Sequence, residues 1–248
     1  MGEESEARTV VNDARGPVRT RSARVVLHIG FHKTGTTSIQ HFLWRHRDRL
    51  SERGIAFYEG RHIPHNHVEL HIAAMAPERM TPVKKSRAIS GGLDYRNEVE
   101  QSLQHFFSSV GANTYLFSAE GLSYLRSPEE FAWLKSVLPE PVTIVAYLRQ
   151  REEYAAAYRH MISGMMAESD DPQSVAYMRP DSWLFDYETR ISGFREVFGD
   201  DLVVRNYNAE LQGGNIIPSF LQVLGIADAF KPDDFQLFLN KRHIRLGL

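Results

Sequence analysis

Short apolar runs alternate with helical patterns along most of the chain. Runs rich in β-branched and aromatic residues predict strands over residues 25–29, 55–58, 114–118, 142–148 and 202–207. Apolar residues at helical spacing predict helices over residues 37–53, 98–110, 128–138, 151–163, 183–198 and 216–224. Strands that alternate with helices are typical of a parallel sheet covered on both faces. The pattern therefore predicts an α/β, three-layer fold with a central sheet of about five parallel strands.

A polar connection over residues 59–97 shows no clear period. It contains His62, His65, His67 and His71, and we expect it to be irregular and functional, because long connections in compact domains seldom lack a role. Residues 1–23 are polar, and we expect them to form a disordered leader. Neither a repeat nor a linker divides the rest of the chain, so residues 24–248 are predicted to be a single domain.

The composition excludes several classes of protein. A net charge of −2 gives no support for a nucleic-acid or membrane-surface partner. The lack of cysteine excludes a disulfide scaffold, a thiolate nucleophile and a cysteine-ligated metal. The sequence has neither an apolar run of ~18–20 residues nor a secretory signal pattern. We therefore expect a cytoplasmic, bacterial protein without a membrane span; the sequence does not indicate its oligomeric state.

The segment VVLHIGFHKTGTTSIQHFLWRH reads as a strand, a tight loop and a helix. Gly30 and Gly35 permit a tight turn, and we expect Thr36 or Thr37 to cap the helix. A helix start offers unpaired N–H groups and the positive end of a dipole, which suit a phosphate. A Walker loop would have its lysine after the second glycine, whereas Lys33 precedes Gly35. The segment therefore predicts a phosphate-binding loop of another kind.

Polar side chains also follow the ends of the predicted strands. The loops that follow the strands of an open parallel sheet share one ligand-binding edge. The polar residues at these positions are His32, Lys33, Glu120, Arg149, Arg151, Asn206 and Asn208. Together with the histidines of residues 59–97, they predict one site that suits an anionic ligand and proton transfer.

Several of these motifs carry a family resemblance. HIGFHKTGTTSIQ resembles the 5′-phosphosulfate loop of sulfotransferases that use PAPS (3′-phosphoadenosine 5′-phosphosulfate), especially the Lys-Thr-Gly-Thr-Thr core of the bacterial, carbohydrate-type branch. TIVAYLRQREEYAAAY resembles the family's 3′-phosphate segment, and LFSAEGLS resembles its Ser-x-Glu stretch. FREVFGDDLVVRNYNAEL and SFLQVLGI are similar to its C-terminal half, so the resemblance spans residues 25–226. It implies a P-loop-like fold and metal-free transfer of a sulfuryl group from PAPS to a hydroxyl or amine of a carbohydrate or glycolipid-type acceptor.

The resemblance also implies roles for individual residues. The 5′-phosphosulfate would be held by Lys33, Thr34, Gly35, Thr36, Thr37 and Ser38. Arg149 would contact the 3′-phosphate, and Arg151 is a further candidate for this contact. The family has a serine eight residues after this arginine, where the chain has Ala157. Alanine cannot donate a hydrogen bond, which is worth ~1.5–3 kcal/mol to a charged group. The side chains that could replace this hydrogen bond are those of Arg151, Tyr158 and Arg159.

Family members usually continue past the region of FLNKRHIRLGL with further donor-site residues, so we expect the chain to be short there.

Sulfuryl transfer also needs a charged group at the leaving oxygen and a base for the acceptor. Lys33 is the candidate for stabilising the bridging oxygen as its bond to sulfur breaks. Glu120 is one candidate base, because burial would raise its pKa into a useful range. His67 and His71 are the other candidates, since histidine titrates near neutral pH. No metal is expected at the histidines, because a His-Glu-x-x-His order is absent from the sequence.

Two other functions stay open. A P-loop nucleotide kinase or NTPase would also have a glycine-rich loop here, but the position of Lys33 and the lack of an apolar strand ending in a magnesium-binding aspartate disfavour it. A non-catalytic sulfotransferase-like binding protein would explain the alanine at position 157.

Overall fold

A parallel sheet of five strands lies at the centre of residues 23–235, the part of the chain that the computed structural model describes. The strands are β1 (Arg24–Gly30), β2 (Ile55–Phe57), β3 (Thr114–Ser118), β4 (Val142–Leu148) and β5 (Leu202–Asn206). Their order is β2-β3-β1-β4-β5, so β1 lies in the middle and pairs with β3 and β4. The outer pairs are parallel as well. The predicted α/β fold with about five parallel strands is confirmed.

Helices cover both faces of this sheet and give the three predicted layers. On one face, Val26 shares an apolar cluster with helices α1 (Thr36–Arg45), α2 (Arg47–Ser51) and α10 (Ile217–Leu224). On the other face, Val25 and Leu27 pack with helices α3 (Val68–Ala74), α5 (Leu93–Ser109), α6 (Pro128–Ser136), α7 (Arg151–Ser163) and α8 (Tyr187–Phe198). Two short helices, α4 (Pro82–Arg87) and α9 (Tyr207–Gln212), follow α3 and β5. The alternation of apolar side chains between the faces of β1 follows from the two-residue period of a strand.

The carboxyl ends of β1 and β4 flank the point at which the connections reverse direction across the sheet. The connection after β1 leads toward β2 at one edge, and the connection after β4 leads to β5 at the other. Such a reversal leaves a crevice at the carboxyl ends of the strands, where ligands bind in open parallel sheets. The loop after β1 and Arg149 after β4 therefore follow the two strands that border this crevice.

The segment over residues 59–97 differs from the predicted irregular connection. It contains α3 and α4, and α5 begins at Leu93 rather than at residue 98. All seven residues of α3 are buried, including Glu69 and His71. A helix that is buried on every side has no solvent-facing polar stripe, so hydrophobic periodicity does not reveal it. The prediction was wrong because two buried polar side chains interrupt the apolar pattern of a core helix.

Two further helices differ from their predicted bounds. The helix expected over residues 37–53 breaks at His46 into α1 and α2. The helix expected over residues 183–198 begins at Tyr187, after a 3₁₀ turn. Asp186 sets this start, because its carboxylate accepts a hydrogen bond from the N–H of Thr189 at 3.1 Å.

Some expectations concern the ends of the chain and its relation to a membrane. The leader predicted over residues 1–23 lies outside the described residues, apart from Ala23. The segment FLNKRHIRLGL lies outside them as well. Between residues 23 and 235, no helix is long and apolar enough to cross a membrane.

The buried carboxylate of Glu130 joins α6 to the segment between α3 and α4. Ser127 and Glu130 form the predicted capping box at the start of α6, which is confirmed. Glu130 Oε1 also accepts hydrogen bonds from Arg79 Nη1 at 2.5 Å and from the N–H of Ala76 at 3.0 Å. Arg79 Nη2 donates to the carbonyl of Tyr124 at 2.8 Å. Glu130 thereby holds the end of α3 beside the 3₁₀ turn that comes after β3.

We predict that Glu130→Ala lowers the free energy of unfolding by about 3–5 kcal/mol, because it leaves the largely buried Arg79 without its anion. Ser127→Ala removes only the helix cap and should cost about 1 kcal/mol. Urea unfolding of both variants measures the difference. Glu129→Ala, at the exposed neighbouring position, is the matched control. Equal losses in the Glu130 and Glu129 variants would contradict the role of Glu130.

Candidate active site at the end of the central strand

The loop between β1 and α1 has three residues at positive φ within six positions. These are Gly30 (φ +87°), Lys33 (φ +61°) and Gly35 (φ +77°). A Cβ atom on Gly30 would lie 3.0 Å from the Cβ of Glu120, so the close approach of these segments requires glycine. A positive φ is uncommon for lysine, and such strain, of ~1–3 kcal/mol, is concentrated at ligand sites. The loop therefore has a strained backbone conformation of the kind that is concentrated at ligand sites.

Gly35 is the N-cap of α1, so the expected threonine cap is wrong. Its left-handed backbone turns the chain into the helix, and Thr36 is the first helical residue. The first N–H groups of a helix have no intrahelical acceptor, and the helix dipole is positive at this end. Thr37 is half-buried beside these groups and Ser38 is buried. The start of α1 therefore has unpaired N–H donors and a positive dipole end, which are the groups that an anion site needs.

Lys33 lies half-buried in this loop, in the electric field of two other charged groups. Desolvation lowers its pKa, the carboxylate of Glu120 raises it, and the positive charge of Arg149 lowers it. The positive charges of Lys33, after β1, and Arg149, after β4, therefore repel each other at the crevice. An anionic ligand between them would relieve their repulsion.

Glu120 connects the loop to the 3₁₀ turn Glu120–Tyr124 after β3. The hydroxyl of Thr36 donates a hydrogen bond to Glu120 Oε2. Burial raises the pKa of Glu120, and this shift is opposed by the hydrogen bond from Thr36, by the charge of Lys33 and by a hydrogen bond from the Asn66 side chain. In the same loop, the buried hydroxyl of Thr34 donates to a backbone carbonyl at 2.5 Å and stabilises the turn itself.

A cavity of about 610 Å³ opens beside Glu120. Its polar lining comes from His32, Asn66, His71 and Glu120 and, on the side of α4, from Thr81, Lys85 and Ser86. It also borders the buried ring of Tyr124. The His32 ring stacks on this tyrosine, with ring centroids 4.5 Å apart. A volume of several hundred Å³ is typical of small-molecule sites. Glu120 therefore contacts the loop through Thr36 and also lines a cavity that can hold a second molecule.

Of the two candidate histidines, only His71 lines this cavity. It is 2% exposed, and among residues 23–235 neither of its ring nitrogens has a hydrogen-bond partner. Burial, together with the charges of Lys84 and Arg79, lowers its pKa to about 3. His71 is therefore neutral at pH 7, and its ring can donate a hydrogen bond to a bound molecule or accept one from it.

His67 has a different environment. Its Nδ1 accepts a hydrogen bond from the N–H of Ser118 at 3.0 Å, and its own backbone N–H donates to the Ser118 carbonyl at 3.0 Å. Both contacts tie the start of α3 to the end of β3. Burial lowers the pKa of His67 to about 3. These contacts favour a structural role for His67 and leave His71 as the one of the two candidates that borders the cavity.

Arg149 is held beside the loop by residues of α7 and α9. Its Nε donates to Glu153 Oε2 at 2.9 Å, and Asn208 Nδ2 donates to the same oxygen at 3.0 Å. Tyr207 lies beneath the guanidinium, 5.7 Å from ring centroid to charge, and would contact a Cβ on Gly35 at 3.2 Å. Arg151 is exposed and reaches the carbonyl of Pro180 at 3.5 Å.

The side chains that could replace the expected serine at position 157 are engaged elsewhere. The Tyr158 hydroxyl is buried and lies 2.7 Å from the hydroxyl of Tyr124. Arg159 Nε donates to the carbonyl of Met178 at 3.0 Å. Ala157 itself is half-buried on α7. Arg149 is therefore the side chain at this end of β4 that is best placed to receive a second anionic group.

Sequence reasoning missed Asn66 and Tyr207. Asn66 lines the cavity and helps to lower the pKa of Glu120, but in the sequence it stands only as a polar residue between two histidines. Tyr207 lies between Asn206 and Asn208, which were expected at a strand end, so its position could have been noted. Neither residue belongs to a motif, because each acts through a contact that is distant along the chain.

The four histidines of residues 62–71 do not converge on one point. His62 bonds to the hydroxyl of Tyr95 at 2.8 Å, and the His65 ring lies 4.1 Å from the ring of His41. Within the described range, no group of three or more His, Cys, Asp or Glu side chains could hold a metal ion.

Known structures identify the fold. A sulfotransferase from Alicyclobacillus acidocaldarius is 14% identical over 89% of this chain and 88% of its own, with a TM-score of 0.57. A sulfotransferase domain from the curacin biosynthetic pathway is 12% identical over 90% of this chain and 80% of its own, with a TM-score of 0.48. A gluconokinase from Sinorhizobium meliloti 1021 is 15% identical over 75% of this chain and 83% of its own, with a TM-score of 0.33. The last two scores are too low to support a conclusion. No protein-family model and no curated protein matches the sequence. The chain has a sulfotransferase-like fold.

The lowered pKa of His71 gives a prediction for stability. In the unfolded chain this histidine takes up a proton below pH ~6.5, whereas in the folded chain it does so only near pH 3. Stability should therefore fall as the pH falls through this window, and His71→Gln should flatten the dependence by up to ~1.4 kcal/mol per pH unit. Urea unfolding between pH 6 and 4 measures it. His105→Gln, at an exposed position, is the control and should keep the parental slope. An unchanged slope in His71→Gln would contradict the buried, neutral imidazole.

Proposed function

We propose that the protein is a PAPS-dependent sulfotransferase that transfers a sulfuryl group to a hydroxyl or amine of a carbohydrate or glycolipid-type acceptor. One observation carries the proposal: Glu120 accepts a hydrogen bond from Thr36 of the anion-binding loop and also lines the 610 Å³ cavity. A donor on the loop and an acceptor in the cavity would therefore meet at one carboxylate. The sulfotransferase-like fold is consistent with this arrangement.

The donor side fits the charges of PAPS. The start of α1, the hydroxyls of Thr37 and Ser38 and the ammonium of Lys33 would bind the 5′-phosphosulfate. Arg149 would bind the 3′-phosphate, in competition with its present ion pair to Glu153. The crevice supplies cations from two strands, as a ligand with two separated anionic groups requires.

The acceptor side favours Glu120 as the base. A general base works best when its pKa lies near the working pH, and burial shifts the pKa of Glu120 upward toward that range. The pKa of His71, lowered to about 3, makes it a weak base. We therefore assign proton removal to Glu120, and to His71 and Asn66 the orientation of the acceptor by hydrogen bonds.

In the proposed step, the acceptor oxygen attacks the sulfur of PAPS. Its bond to sulfur forms while the bond between sulfur and the bridging phosphate oxygen breaks, which releases 3′-phosphoadenosine 5′-phosphate. The acceptor's proton passes to Glu120, and Lys33 stabilises the negative charge that grows on the leaving oxygen. Positioning and charge stabilisation carry such transfers, so no metal is required.

Binding measurements separate this proposal from a nucleotide kinase or NTPase. We predict that 3′-phosphoadenosine 5′-phosphate binds in calorimetry without Mg²⁺. Arg149→Ala should weaken it about 10- to 150-fold, the equivalent of ~1.5–3 kcal/mol for one hydrogen bond to a charged group. Arg151→Ala, whose side chain reaches Pro180 instead, is the matched control and should lose less. Binding of ATP that depends on Mg²⁺, without binding of the bisphosphate, would favour the kinase.

Turnover measurements test the role of Lys33. We predict that Lys33→Ala slows release of 3′-phosphoadenosine 5′-phosphate from PAPS by about 10²–10³-fold in the presence of an acceptor panel, while its melting temperature stays near that of the parent. Lys135→Ala, at an exposed position of α6, should keep full turnover. Near-normal turnover in Lys33→Ala would refute the assignment. Binding of PAPS with no transfer to any acceptor, in the parent itself, would support the non-catalytic alternative.

A further inference from the structure

Arg190 of α8 is a buried cation. Its side chain is 3% exposed, and its contacts within residues 23–235 include no carboxylate. Instead, the guanidinium donates hydrogen bonds to backbone carbonyls and lies over the rings of Phe31 and Trp183, 4.1 and 5.6 Å from their centroids. Taking a cation out of water is costly unless such contacts replace its hydration. An apolar residue of similar size would avoid this cost but could not make these contacts.

Two of the hydrogen bonds from Arg190 end on the turn that carries Glu120. Its Nε and Nη2 both donate to the carbonyl of Ser123, at 2.9 and 2.5 Å. The hydroxyl of Ser123 donates in turn to the carbonyl of Glu120 at 2.7 Å. A further hydrogen bond, from Nη1 to the carbonyl of Leu184 at 2.6 Å, holds the guanidinium to the segment before α8. Arg190 is therefore connected to the backbone of Glu120 through a single residue.

The same guanidinium also packs on the loop after β1. Phe31, whose ring lies under Arg190, follows Gly30 in that loop. A Cβ atom on Gly30 would lie 3.0 Å from the Cβ and 3.1 Å from the Cα of Glu120, so the loop and the turn are in close contact at this point. Arg190 contacts both segments. A shift of the turn would therefore change the distance between Thr36 and the Glu120 carboxylate.

Other contacts hold the two ends of this turn. The N–H of Ala119, just before the turn, donates to a carbonyl of β1 at 2.9 Å. Arg79 Nη2 donates to the carbonyl of Tyr124, the last residue of the turn, at 2.8 Å. These two contacts fix the turn to β1 and to the segment after α3. Of these three anchors, Arg190 is the one that joins the turn to the loop after β1.

We propose that Arg190 is a positioning residue for the base. It holds the turn after β3 against the loop after β1, so that the carboxylate of Glu120 stays within hydrogen-bonding distance of Thr36. Arg190 acts on this carboxylate through the backbone. The inference rests on the proposed function for the role of the base, but the contact between Glu120 and Thr36 can be measured without a donor or an acceptor.

The test is the titration of Glu120, followed by ¹³C NMR of protein labelled at the glutamate side-chain carboxyls. Glu120→Gln assigns the signal. The hydrogen bond from Thr36 favours the anion of Glu120, and losing a hydrogen bond to a charged group changes an equilibrium about tenfold or more. Arg190→Met should therefore raise the pKa of Glu120 by about one pH unit or more. Thr36→Val should do the same, and the double variant should show little further change.

Arg96→Met is the matched control. Arg96 is half-buried and also donates to two backbone carbonyls, those of Ala73 and Ala74, at 2.6 and 3.1 Å. Its loss should lower the melting temperature without moving the pKa of Glu120. An equal shift in Arg96→Met and Arg190→Met would indicate general loosening of the fold and overturn the proposal.

Two milder variants test the same contacts. Arg190→Lys keeps a donor for the carbonyl of Ser123 and should reverse part of the shift that Arg190→Met produces. Ser123→Ala keeps the buried cation and removes only the hydroxyl that reaches Glu120, so the pKa of Glu120 should again rise. An unchanged pKa of Glu120 in folded Arg190→Met would overturn the proposal, as would an unchanged pKa in Ser123→Ala if Arg190→Met does not fold.

These measurements separate the positioning role from the proposed function. Failure of the parent to bind 3′-phosphoadenosine 5′-phosphate would refute the proposed function even if the titration of Glu120 shifts as expected. Binding of the bisphosphate with an unmoved titration would refute only the role of Arg190. Where both hold, Arg190→Met should lower kcat with little change in the KM for PAPS, because the residues proposed to hold PAPS are unchanged.

Discussion

The hydrogen bond from Thr36 to Glu120 is the interaction on which the site depends. It joins the loop after β1 to the turn after β3, two segments that are 84 residues apart in the sequence. Gly30 makes it possible, because a side chain there would push the two backbones apart. Through this contact, the start of α1, which is the proposed anion site, and the cavity behind the turn share one carboxylate.

Two opposing forces set the charge state of this carboxylate. Burial favours the neutral acid, whereas Thr36, Lys33 and Asn66 favour the anion. Lys33 is balanced in a similar way, since burial and Arg149 oppose its charge and Glu120 supports it. The charges of Lys33, Glu120 and Arg149 therefore compensate one another only in part, and an anionic ligand would shift this balance of charge. The buried Glu130 provides the rigid support, by fixing α3 and its His71 beside the same turn.

Local patterns predicted the sheet and the loop, because both arise from neighbouring residues. The strands are short, mainly apolar runs, and Gly30 and Gly35 mark a turn at positive φ, which favours glycine. α3 was missed, since a fully buried helix that contains Glu69 and His71 has no amphipathic period. The partners of the loop could not be predicted either: Thr36 meets Glu120, and Asn66 meets the same carboxylate, only after the sheet has formed. The roles of His67 and His71 were equivalent in sequence and separate only in the fold, where one binds Ser118 and the other borders the cavity.

A crystal structure of the complex with 3′-phosphoadenosine 5′-phosphate tests the central claim most directly. The account predicts the 5′-phosphate at the start of α1, within hydrogen-bonding distance of the N–H groups of residues 34–38 and of Lys33, with the 3′-phosphate at Arg149. It also predicts that the 5′-phosphate lies close to Glu120. A nucleotide bound away from this loop, or with its 5′-phosphate remote from Glu120, would contradict the account.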